Sequence, residues 1–144
     1  MSLAALSRGD TVIRTSRTPG TRLSDIPNRG VTTLKLDLTS TYPEIAFTVA
    51  EALRQHETID VLVSVAGYLL EGSVKETNEQ EPQYLYKTSF SGPTNLARAL
   101  LQRFRARRAG IIANVADIGA LRGAHPPRDI IAQVRLRSGL LLRH

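Results

Sequence analysis

Four short apolar runs in this chain end in polar residues, and the side chains able to do chemistry collect at those ends. The first run ends at Ser16-Arg17 and the second at Asp37-Leu38. The third ends at Ser64-Val65-Ala66-Gly67 and the fourth, in AGIIANVADIG, at Asn114-Val115-Ala116-Asp117. Arg17 offers a planar fork of donors suited to anionic oxygens, although an arginine in a solvated turn fits the same position. Ionised Asp37 and Asp117 accept hydrogen bonds and donate none. Asp37 also suits a turn in which the carboxylate bonds its own backbone. Metal chemistry has little to work with. The chain has no cysteine, and its three histidines, His56, His125 and His144, have no ligand spacing. No metal site is assigned, and His56 is read as a partner of a helix C-terminus.

The elements that must position these ends follow from periodicity. Leu3 to Ser7 reads as a short helix closed by Gly9. β-Branched residues over 11–16 and 31–36 predict two strands, separated by a Pro19-Gly20 turn. Thr41-Tyr42-Pro43-Glu44 has capping-box spacing, and Ile45, Val49, Leu53 and His56 recur behind it at helical spacing. The run at 59–65 suits a strand covered on both faces. A long helical segment is expected from Asn78 to Arg108, kinked or interrupted by Pro82 and Pro93. The last strand is expected over 110–116. Crossovers of this length predict right-handed βαβ units, hence an α/β fold with a parallel sheet and helices on both faces. Ligands then bind beyond the carboxyl ends of the strands, where the four polar ends lie.

The 144 residues suit one domain. The nearly apolar run at 61–70 is far short of the roughly 20 residues of a membrane span. MSLAALSRGD has no signal-peptide pattern, so the cytoplasm is the default compartment. Charge is lopsided. Residues 1–97 carry nine Lys/Arg against eleven Asp/Glu, whereas 98–144 carry ten Arg against two Asp. No aromatic follows Phe104 to stack on a base, so a solvated basic helix face and tail is preferred to a nucleic-acid site.

The polar ends resemble, in order, those of the short-chain dehydrogenase/reductase family. The resemblance runs over about residues 3–123, through ALSRGDTVIRTSRTP, LKLDLTS, IDVLVSVAGYLLEGSV and TSFSGPTNLARALLQRFRARRAGIIANVADIGALRG. It implies a Rossmann-type doubly wound parallel sheet, incomplete in this chain. The family's first strand and glycine-rich Thr-Gly-x-x-x-Gly-x-Gly turn precede the helix in which the chain begins. Without that central strand, the strands at 11–16 and 59–65 must either pair directly or leave backbone groups unpaired.

The resemblance also implies a nicotinamide cofactor. Arg17 then meets the 2′-phosphate of NADP, and the lack of an acid at that tip favours NADP over NAD. Asp37-Leu38 matches the pair that receives adenine. Ala66-Gly67 matches the end of the Asn-Asn-Ala-Gly motif, whose small residues let the backbone approach the cofactor, with Ser64-Val65 replacing the asparagines. Ser16, Arg17, Asp37, Leu38, Ser64, Ala66, Gly67 and Arg98 form the candidate cofactor set.

No catalytic residue is assigned. The family's Asn-Ser-Tyr-Lys group falls on Ser89, Asp117, Ile130 and Val134. A carboxylate at Asp117 repels the charge developing on a carbonyl oxygen, where a donor is wanted. The expectation is an incomplete Rossmann domain over 1–123 and a poorly packed basic tail over 124–144. By family, the chain is an NADP-dependent oxidoreductase of a small-molecule carbonyl or alcohol, inactive in this form. The second reading is a non-catalytic partner forming homo- or hetero-oligomers through the helix at about 84–107. Nucleic-acid binding is the weakest reading, and no membrane contact is expected.

Overall fold

The computed structural model describes residues 2–19, 31–68, 70 and 75–115. In chain order the elements are α1 (Ser2–Leu6), β1 (Val12–Ser16), β2 (Val31–Lys35), α2 (Tyr42–His56) and β3 (Val61–Ser64). They are followed by α3 (Gln80–Tyr86), a π-helical turn (Lys87–Ser91), α4 (Gly92–Arg107) and β4 (Ile111–Asn114). The expected tail over 124–144 lies outside the described residues.

The strands form two parallel pairs, β1 with β2 and β3 with β4. In the first, Val12 faces Val31 and Ser16 faces Lys35. In the second, Val61 faces Ile111 and Ser64 faces Asn114. Among the described residues the four strands expected in one sheet are thus seen as two separate pairs. Among the described residues β1 and β3 do not pair directly, so no ladder bonds join the two pairs. The α/β class and the parallel strands are as expected.

Helix boundaries follow local chemistry. At the start of α2, Glu44 Oε2 accepts from the Thr41 N–H and hydroxyl, both at 2.8 Å, so the capping box forms around Pro43. At α3, Asn78 Oδ1 accepts from the N–H groups of Gln80 and Glu81, at 2.9 and 3.1 Å. Glu81 Oε2 in turn accepts from the Asn78 N–H at 2.9 Å. Pro82 sits in the first turn, where its missing N–H costs no intrahelical bond. Pro93 is different. It cannot donate to the Ser89 carbonyl, and the helix widens just before it into the π turn, closed by the Gly92 N–H on the Lys87 carbonyl. The helical segment expected over 78–108 is interrupted as expected, but at the turn before Pro93 and not at Pro82, leaving two helices joined by that turn.

The core lies between α2, α4 and the β3–β4 pair. Val49, Leu62, Leu100 and Phe104 are buried together, with Leu53, Ile59, Leu96 and Ile112 packed around them. Ile45 and Leu100 are fully enclosed. Two polar links tie elements across this core. Arg107 Nη2 donates to Asp60 Oδ1 at 2.6 Å and Nη1 to the Ile59 carbonyl at 3.3 Å, anchoring the end of α4 to the entry of β3. His56 Nε2 lies 2.6 Å from Thr32 Oγ1, so the histidine expected to face only its helix end also bonds β2. The opposite face of β3–β4 is open, and Val61, Val63 and Ile111 on it are 49%, 42% and 60% exposed.

Candidate functional site

Parallel pairing puts the carboxyl ends of β1 and β2 side by side. The Leu36 N–H donates to the Ser16 carbonyl at 3.0 Å, extending the ladder one residue past the end of β2. Arg17 therefore leaves β1 next to the point where Asp37 leaves β2. Ser16 Oγ accepts from the Thr18 N–H at 3.3 Å, turning the chain away from the tip, and Arg17 is exposed.

Asp37 is built into a tight turn. Its Oδ1 accepts from the Thr39 N–H at 2.9 Å and the Thr39 hydroxyl at 2.8 Å. The Ser40 N–H donates to the Asp37 carbonyl at 3.1 Å. Partial burial works to raise the Asp37 pKa. The two Thr39 bonds and the charges of Arg17 and Lys35 outweigh it, so the carboxyl titrates below its ordinary value. The backbone-turn role and a ligand-facing role are compatible, because both Thr39 bonds fall on one oxygen.

At the second pair, the Val115 N–H donates to the Ser64 carbonyl at 2.9 Å, continuing the ladder past Asn114. Ser64 Oγ is buried with no hydrogen-bond partner among the described residues. Ala66 and Gly67 are exposed, and a Cβ built on Gly67 meets nothing within 4 Å. The protein's own packing does not require glycine there. Arg98 stands apart from the tips. Its guanidinium carbon lies 5.7 Å from the Tyr42 ring centroid, and Nη1 donates to Asn95 Oδ1 at 3.4 Å. Ser89 is half-buried in the π turn. Asp117, Ile130 and Val134 lie outside the described residues.

Two residues escaped the sequence reading. Thr39 has a legible signal, since Asp-x-Thr is the spacing of a side-chain turn. Gly92 is less visible. It is buried at the first position of α4, where a Cβ would collide with the Leu38 carbonyl and Cβ. Among the described residues no group of three or more His, Asp or Glu is placed to hold a metal ion, and no helix is long and apolar enough to cross a membrane.

The family model described as short chain dehydrogenase matches residues 1–125. The chain belongs to the short-chain dehydrogenase/reductase family. Over 127 residues it is 32% identical to oxidoreductase claN of Passalora fulva, covering 85% of this chain and 57% of that protein. A solved short-chain dehydrogenase from Streptomyces avermitilis superposes with a TM-score of 0.74 at 33% identity, over 83% of this chain and 45% of that one. The structure of ElxO with NADP bound superposes with a TM-score of 0.75 over 85% of this chain and 52% of that one. At 22% identity that similarity is one of fold. The chain thus spans about half the length of these three proteins.

Proposed function

We propose that this chain carries the adenosine end of an NADP(H) site of a short-chain oxidoreductase acting on a carbonyl or alcohol. The observation that carries the reading is that Arg17 and Asp37 leave β1 and β2 side by side at adjacent parallel strand tips. In it Arg17 holds the 2′-phosphate and Asp37-Leu38 receive the adenine. Ala66-Gly67 let the dinucleotide lie against the exit of β3, next to Ser16 and Ser64. The open space around Gly67 and the exposure of Arg17 support this fit. Arg98, on the Tyr42 ring, is the outlying member and contributes positive charge rather than a contact. The nicotinamide supplies hydride when bound.

The two strand pairs belong to one doubly wound Rossmann sheet over 1–123, incomplete in this chain, with 124–144 as a basic appendage. The chain is catalytically inactive in this form, because the family's acid and its lysine partner are replaced by Ile130 and Val134. Titration with NADP+ and NAD+, followed by ligand-observed NMR, tests the reading. Weak binding that favours NADP+ is expected, and equal or absent response to both sinks it.

A second reading has its own observation. Tyr84, Tyr86 and Phe90 are 52%, 48% and 38% exposed where α3 joins the π turn, and the Tyr86 and Phe90 rings lie 5.0 Å apart. An exposed aromatic surface of this kind suits a helix-mediated contact with a second copy or a longer relative. Co-purification of a full-length reductase, lost on Tyr86→Ser with Phe90→Ser, is its test.

A further inference from the structure

Gly92 joins two parts of the molecule that the sequence keeps 54 residues apart, the start of α4 and the turn after β2. A Cβ at Gly92 would fall within 2.9 Å of the Leu38 carbonyl carbon and nearer still to the Leu38 oxygen and Cβ. Those are backbone atoms and a side-chain root, which cannot swing aside as a long side-chain end can.

The turn also has little freedom to retreat. Leu36 is bonded to Ser16 on the strand side, and Asp37 is bonded to Thr39 and Ser40 within the turn. On the helix side, the Gly92 N–H is committed to Lys87 and Pro93 is buried with its φ fixed by its ring. Pressure on Leu38 is therefore passed to the adjoining Asp37 turn and strains the bonds that hold its carboxylate.

We propose that Gly92 is a positioning residue for the nucleotide site: its missing side chain lets α4 seat the Leu38 carbonyl, and thereby fixes the Asp37 turn that receives the base. This rests on the adenosine-site reading above and adds to it the element that holds the turn in place. It also gives the π turn a consequence. The wide turn, which ends one residue before Gly92, sets where Gly92 lies along the helix.

The test is a double-mutant cycle of Gly92→Ala and Leu38→Gly, read by amide exchange and by NADP+ titration. Gly92→Ala is expected to speed exchange of the Thr39 amide about tenfold and weaken NADP+ binding about tenfold, ~1.4 kcal/mol, with preference over NAD+ retained because Arg17 is not displaced. Amides of Leu62 and Ile112 in the other strand pair should keep their protection. Leu38→Gly removes the Cβ and frees the peptide to turn its carbonyl. In that background the further change Gly92→Ala should have little effect on either reading, a coupling that general destabilisation does not produce. If Gly92→Ala unfolds the chain, recovery of Thr39 protection in the double variant supports the inference, and failure to recover overturns it. Unchanged Thr39 exchange and affinity in Gly92→Ala overturn it directly. A parent chain that binds neither dinucleotide sinks the adenosine-site reading itself. Binding indifferent to Gly92→Ala sinks only the positioning role.

Discussion

At the scale of single residues, the candidate site is an arginine and an aspartate whose charges act on each other. Arg17 helps hold Asp37 ionised, and Asp37 tempers the positive charge that Arg17 presents to an anion. Replacing Arg17 with Ala is expected to weaken NADP+ binding about tenfold, the low end for a charge-assisted contact at an exposed position, and to leave NAD+ binding unchanged. Comparative titration of both dinucleotides checks it. Loss of both in parallel would place Arg17 elsewhere. The Asp37 carboxyl gives a pH dependence with a defined sign. Its folded pKa lies below the reference value of 3.8, so its contribution to stability is complete above that value and is lost as pH falls through the lower folded value. Urea melts of the parent and Asp37→Asn should therefore differ at pH 7 and converge in acid, by no more than ~1 kcal/mol because solvent screens the site. The sequence named both residues, because polar groups ending apolar runs are conspicuous. Thr39 and Gly92 were missed for a physical reason: each matters through a contact with a turn that periodicity does not describe.

At the scale of elements, the strands and α2 were legible because each rests on a local pattern that tertiary contacts reinforce. β-Branched runs became β1 and β2, and the spacing of Thr41 and Glu44 became a formed capping box. The long helix was legible only in outline. Pro93 forbids one hydrogen bond, but whether the chain answers with a kink, a break or a wide turn depends on what packs beside it. Here the neighbour is Leu38, and the answer is the π turn. Glycines near the helix ends separate backbone strain from packing. Gly9 has φ +85 with nothing within 4 Å of a built Cβ, so Gly9→Ala should cost roughly 1 kcal/mol through backbone conformation alone. Gly110, between α4 and β4, has φ +155, and a Cβ there would meet Phe104 ring carbons at 2.5 and 2.6 Å. Phe104 belongs to the core, so Gly110→Ala should add overpacking of ~1–3 kcal/mol. Urea denaturation of the two variants should rank Gly110→Ala as the more damaging. The reverse order would mean that the Phe104 ring has room to rotate.

At the scale of the whole molecule, β1 and β3 do not pair among the described residues, and Val61, Val63 and Ile111 of the β3–β4 pair are exposed. Exposed apolar residues grouped in this way mark sites of association. Catalysis asks more of the molecule than the retained edge supplies. Carbonyl reduction needs a proton donor beside the substrate oxygen while hydride arrives at its carbon. The chain has no tyrosine after Tyr86 and no lysine after Lys87, and in the reading proposed above Asp117 takes the place of a donor hydroxyl. General acid catalysis alone is worth ~10²–10⁴ in rate, and an ionised carboxylate beside the developing oxyanion opposes the reaction further. The 144-residue chain is therefore expected to show no NADPH oxidation above a no-enzyme control against a panel of ketones and quinones. Asp117→Ser should not restore it, because that serine only orients a carbonyl for an acid the chain lacks. Turnover clearly above the control, and abolished by changing Asp117 or Ser89, would mean that the carboxylate serves as a proton carrier and that a different active site has formed at the same strand tips.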